Sequence, residues 1–139
     1  MGVGFMVITV TSDQHMLDAE AFLRHARQKW PGCRTFEDDP AERISDAEVN
    51  VSPVGAPSFT VIHFPNDMIS VDGNLDQSAA VAAWVRSLHP DPDLVLWYVD
   101  EGFTGHAVLF PGITAEQVAS GWVDHGEHDP FEEYPDYFR

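Results

Sequence analysis

The densest set of metal-ligand residue types in this chain is Asp124-His125-Gly126-Glu127-His128-Asp129. Imidazole and carboxylate donors of this kind suit zinc or another divalent ion. The spacing argues against it. Histidines three positions apart project less well from one helix face than the four-residue spacing of a metalloprotease helix, and Gly126 falls between them to end a helix. The expectation is a solvated helix end. Asp124, His125, His128 and Asp129 stay as candidate ligands under the alternative reading, a small metal-dependent hydrolase.

Asp100, Glu101 and His106 are the second constellation, flanking a loop between two strand-like runs. A carboxylate pair with a histidine does acid–base work when burial separates their pKa values. No nucleophile, oxyanion donor or phosphate cradle accompanies them, so no catalytic residue is assigned. Gly102 and Gly105 read as a turn signal, because a nucleic-acid clamp needs basic neighbours and has none here. Cys33, ahead of Arg34, has a cation that can lower its pKa but no histidine in any motif with it, and reads as a structural thiol. His63 alternates with Val61 and Phe59 and reads as a satisfied core or rim histidine. Trp30, Trp84, Trp97 and Trp122 each fall on an apolar stripe or strand and read as core. Dinucleotide fingerprint, P-loop, Gly-x-Ser-x-Gly elbow and Cys-x-x-Cys pair are all absent from the sequence, and no cofactor is expected.

Charge narrows the class of partner. Twenty-three Asp and Glu face seven Lys and Arg, a formal net charge of -16 over 139 residues. A field of that sign repels nucleic acid and anionic membrane and speeds encounter with basic proteins; charge of this kind also serves solubility alone. Arg24, Arg27, Lys29, Arg34 and Arg43 cluster early, and from residue 44 to 138 Arg86 stands alone against sixteen acids. A single cysteine excludes an internal disulfide and points to a reducing compartment. With no signal peptide or apolar run long enough to span a bilayer, the expectation is a soluble cytoplasmic protein.

The elements that position these residues follow from periodicity. Leu94 to Val99 is apolar on both faces and reads as a central strand, with His106 to Phe110 returning beside it. Phe5 to Val10 reads as another interior strand, and Phe59 to Phe64 with Met68 to Asp72 as a hairpin. Three capping boxes mark helix starts, at Thr11 with Gln14, Asn74 with Gln77, and Thr114 with Gln117. Ile113 and Val118 stand at the positions of a hydrophobic staple. Met16, Ala19, Leu23, Ala26 and Trp30 form the stripe of the first helix. Residues 34–47 read as the least structured part, with a short helical turn over 41–47, and Glu48 to Val51 as a possible short strand.

The sum is an α+β fold: a mainly antiparallel sheet of about five strands packed with three helices, in the order β-α-(loop)-ββ-α-ββ-α. Residues 1–123 make one domain, and 124–139 an acidic aromatic tail packed on it. The leading functional expectation is a small non-catalytic binding protein, most concretely a bacterial immunity or antitoxin-type protein that caps a basic protein partner. Its binding residues would be Asp91, Asp93, Asp100 and Glu101, with Phe103, Tyr134 and Tyr137 as aromatic anchors. A homodimeric interaction or scaffold domain, using an edge strand or the tail, is the other alternative.

Overall fold

The computed structural model describes residues 4–11, 14–37, 45–65 and 68–135. Among them, eight strands pair antiparallel throughout: β1 (Phe5–Thr9), β2 (Arg34–Glu37), β3 (Ala47–Val51), β4 (Phe59–Phe64), β5 (Met68–Asp72), β6 (Leu96–Asp100), β7 (Gly105–Leu109) and β8 (Val123–Asp124). Their order across the sheet is β2-β3-β4-β5-β1-β6-β7-β8. The helices are α1 (Ala19–Lys29), α2 (Leu75–Ser87), α3 (Ala115–Ser120) and α4 (Pro130–Glu133). The class is the α+β one that hairpins separated by helices imply, but the sheet is wider than five strands. β2 (Arg-Thr-Phe-Glu) was hidden because it is an exposed edge strand held by its backbone ladder to β3, with no apolar alternation to announce it. The helical turn expected over 41–47 falls largely on residues 41–44, outside the described residues, and Ala47 already belongs to β3.

Alternation divides the sheet into two faces. Val7, Val49, Val61, Ile69, Val71, Leu96, Tyr98 and Leu109 point to one face, where they are buried in a common core with Phe22, Leu23 and Ala26 of α1 and Val81, Ala82 and Val85 of α2. The other face carries Met6, Ile8, Ile62, Phe64, Trp97, Val99, His106 and Val108. Only its β6–β7 part is deeply buried: Trp97, Val99 and His106 are covered, whereas Val108 is 43% exposed. Tyr134, just past α4, sets its ring edge-on to Trp97 at 5.1 Å and to His106 at 5.7 Å. β6 is thus the strand with both faces covered, in keeping with its unbroken apolar run.

Two capping boxes form as the spacing predicts: Asn74 with Gln77 opens α2, and Thr114 with Gln117 opens α3, with Ile113 and Val118 both buried. The third does not. α1 begins at Ala19, with Asp18 as its cap accepting from the Ala21 amide. The Gln14 side chain instead donates to the Asp93 carbonyl (2.7 Å) and accepts from the Val95 amide (2.9 Å). Residues 14–18 stay non-helical because two histidines satisfy their backbone. The Leu17 amide donates to His89 Nε2 at 3.1 Å, and the Leu17 carbonyl accepts from His63 Nε2 at 2.8 Å. Partners 46 and 72 residues away outcompete a local helix start.

Candidate functional site

A concavity lies at the end of the sheet where β1 begins and β6 ends, because antiparallel pairing sets Phe5 opposite both Val71 and Asp100. α2 starts at this end, so Leu75 and Ala79 of its first turns form one wall. α3 runs back to the same end and contributes Val118, Ala119 and then Trp122. The resulting cleft has a volume of about 460 Å³ and is lined by these residues with Phe5, Tyr98, Asp100 and Thr104. Phe5 and Tyr98 stack at 4.9 Å, and Trp122 stands nearly perpendicular to both at 6.1 Å. Burial pushes the Tyr98 phenol well above its ordinary range, so it stays neutral. Trp122 lies over Gly105, where an added Cβ would clash with its indole. The indole needs that glycine. Trp122, expected in the core, is 36% exposed and is instead a wall of the cleft.

Asp100 is the charge in this wall. Its carboxylate accepts from the Thr104 amide at 2.7 Å and from the Thr104 hydroxyl, which closes a turn through Glu101, Gly102 and Phe103. Glu101 is exposed beside it, its carboxylate against Gly4. Asp76 in the first turn of α2 and Glu116 in that of α3 add acids to the two helices that frame the cleft. Among the described residues, no Lys or Arg lines the cleft. Arg86, alone among Lys and Arg from residue 44 to 138, is buried and donates to the carbonyls of Leu109, His89 and Asp91. Arg24, Arg27, Lys29 and Arg34 lie exposed on α1 and β2, toward the opposite edge of the sheet.

The candidate binding residues therefore separate into three places. Asp100 and Glu101 stand at the cleft. Asp91 and Asp93 lie beyond the other end of β6, whose length alone is about 13 Å at the rise of a strand, in a turn where Asp91 Oδ1 accepts from the Asp93 amide. Phe103 and Tyr134 belong to the second face, and Tyr137 falls outside the described residues. The residues missed from sequence are Phe5, Leu75, Tyr98 and Val118, which look like any core positions of an apolar strand or helix.

The Asp100, Glu101 and His106 constellation is not assembled, because Asp100 shares a face with Tyr98 while His106 points to the other one. His106 is fully buried and stacks on Trp97 at 3.8 Å with 9° between planes. Its Nδ1 lies 2.8 Å from His125 Nε2, and His125 Nδ1 lies 2.7 Å from the Phe103 carbonyl. A carbonyl only accepts, so His125 carries its proton on Nδ1, its Nε2 accepts, and His106 Nδ1 donates. His106 Nε2 is then a bare lone pair with no hydrogen-bond partner among the described residues. Burial, with His125 close by, holds the His106 imidazole down to about 4. Phe103 has φ of 52°, a left-handed conformation strained for a bulky residue, and its carbonyl is held by His125.

The candidate metal ligands are engaged elsewhere. The helix end expected at Gly126 is a turn after β8. There Asp124 Oδ1 accepts from the Gly126 amide, both His125 nitrogens are occupied, His128 Nδ1 pairs with Glu133 at 3.0 Å, and Asp129 caps α4. Among the described residues no three potential ligands converge. Cys33 behaves as a structural thiol: burial raises its pKa and outweighs the attraction of Arg27, where the sequence suggested lowering by Arg34. No helix among the described residues is long and apolar enough to cross a membrane. Compared with known proteins, the chain matches no family model, no curated protein and no solved structure.

Proposed function

We propose that this is a non-catalytic binding protein that caps a basic protein partner, most concretely in the manner of a bacterial immunity or antitoxin-type protein. One observation carries the reading. An aromatic cleft has a carboxylate in its wall and acids on both framing helices, while no Lys or Arg is among its lining residues. Such a site suits a side chain or helix with an apolar body and a cationic head. The body displaces water from Leu75 and Trp122, the exposed apolar residues of the lining, and the head sits by Asp100 and the face of Trp122. The acidic field steers the encounter and the buried rings hold the complex.

A helical peptide of alternating leucine and lysine pairs is a suitable probe, titrated against the full chain at low and high salt. Binding should weaken about tenfold as the field is screened. Trp122→Ala should weaken it at both salt levels, and Asp100→Asn with Glu101→Gln should flatten the salt dependence. Equal binding of the matching leucine–glutamine peptide would overturn the reading.

A further inference from the structure

The second face of the sheet carries a feature that the cleft does not use. Residues 123–135 form a strap: β8 pairs with β7 through Gly105 and His106, the turn at His125 follows, and α4 leads to Tyr134 over Trp97. The strap meets the rest of the chain through a directional chain of hydrogen bonds, from His106 Nδ1 to His125 Nε2 and from His125 Nδ1 to the Phe103 carbonyl. In this direction the chain needs His125 Nε2 bare as the acceptor, and it leaves His106 Nε2 buried with no partner among the described residues.

We propose that His106 and His125 form a proton-operated latch, which holds the strap on the second face at neutral pH and releases it on acidification, uncovering Trp97. The inference stands apart from the binding reading, since it needs no partner. A proton on His125 Nε2 removes the acceptor. A proton on His106 Nε2 places a charged donor in a buried position with no acceptor among the described residues. Opening the strap lets that nitrogen reach water.

The groups bearing on His106 come from each element packed on it. The turn after β8 supplies His125 and His128, whose positive charge would oppose protonation, and α4 supplies Glu133, which favours it but is paired with His128. From β6 the neighbours on this face are Trp97 and Val99, which are uncharged. The shift down to about 4 fits a ring kept neutral by its surroundings.

The test is amide hydrogen exchange on the full chain from pH 7 to 5, above the range where carboxylates titrate, with intrinsic rates corrected. Below the free imidazole value, the opening constant of residues 123–135 should rise roughly tenfold per pH unit, the slope of one proton taken up on opening. Amides of β4 and β5 should stay protected. His106→Phe keeps a ring on Trp97 and removes the titration, so its strap should open with no such slope. Should that variant fail to fold, ring nitrogen shifts of the unmodified protein decide: His106 must carry its proton on Nδ1 with Nε2 bare at neutral pH. A pH-independent strap, a wild-type slope in His106→Phe, the opposite tautomer, or opening of the whole sheet at one midpoint would each overturn the latch.

Discussion

Two groups of histidines each pin a stretch of chain that has little regular structure, and they differ in what their nitrogens meet. At Leu17, His89 donates from Nδ1 to the Val85 carbonyl and accepts the Leu17 amide on Nε2. His63 gives Nε2–H to the Leu17 carbonyl and sets Nδ1 2.5 Å from an Asp46 carboxylate oxygen. All four ring nitrogens have partners. At the strap, three of four do, and the fourth, His106 Nε2, is buried without one among the described residues. In the first cluster every nitrogen has a partner to hold it, whereas in the second an added proton on the bare buried nitrogen would meet no acceptor among the described residues.

The comparison breaks most severely at Asp46. Asp46→Ala should cost about 3 kcal/mol in urea unfolding, because His63 then donates into an emptied site. Asp46→Asn, which keeps an acceptor oxygen, should cost clearly less. Equal losses would mean that packing, not the acceptor, matters at this position.

Acid should sharpen the difference. His106 has its folded pKa lowered to about 4 from an ordinary 6.5. Its contribution is therefore fully present above about pH 6.5 and lost as pH falls toward 4, up to about 3 kcal/mol from that shift. Burial lowers the His89 pKa too, so its contribution has the same sign. Urea unfolding at pH 7.5, 6 and 5 should show falling stability, and His106→Phe should remove most of the slope.

Gly105→Ala tests the strap without touching a histidine. The new methyl meets Trp122, so a loss of about 2 kcal/mol is expected, together with a changed Trp122 emission. Thr114→Ala should cost least, about 1 kcal/mol in thermal or urea unfolding, as a lost helix cap remote from both clusters. Its pH slope should match that of the unmodified protein.

Much of the fold was legible because it is local. Apolar runs marked β1, β4, β5 and β6, and the Asn74 and Thr114 caps need only residues three positions on. Thr11 and Gln14 carried the same signal and misled, because Gln14 is bound by Asp93 and Val95 on the far side of the chain. The candidate site was less legible. Asp100 was singled out for its place at a strand end, but the strand pairing alone set it with Phe5 and apart from His106.

By itself, then, the sequence determined the α+β class, the interior strands, two of the caps and the excess of acid, since each depends on residue type and short spacing. Tertiary structure decided which face a side chain occupies, which histidine nitrogen finds a partner, and that Arg86 is turned inward while acids frame the cleft. Those outcomes depend on contacts between residues tens of positions apart, and no local pattern encodes a partner that only folding supplies.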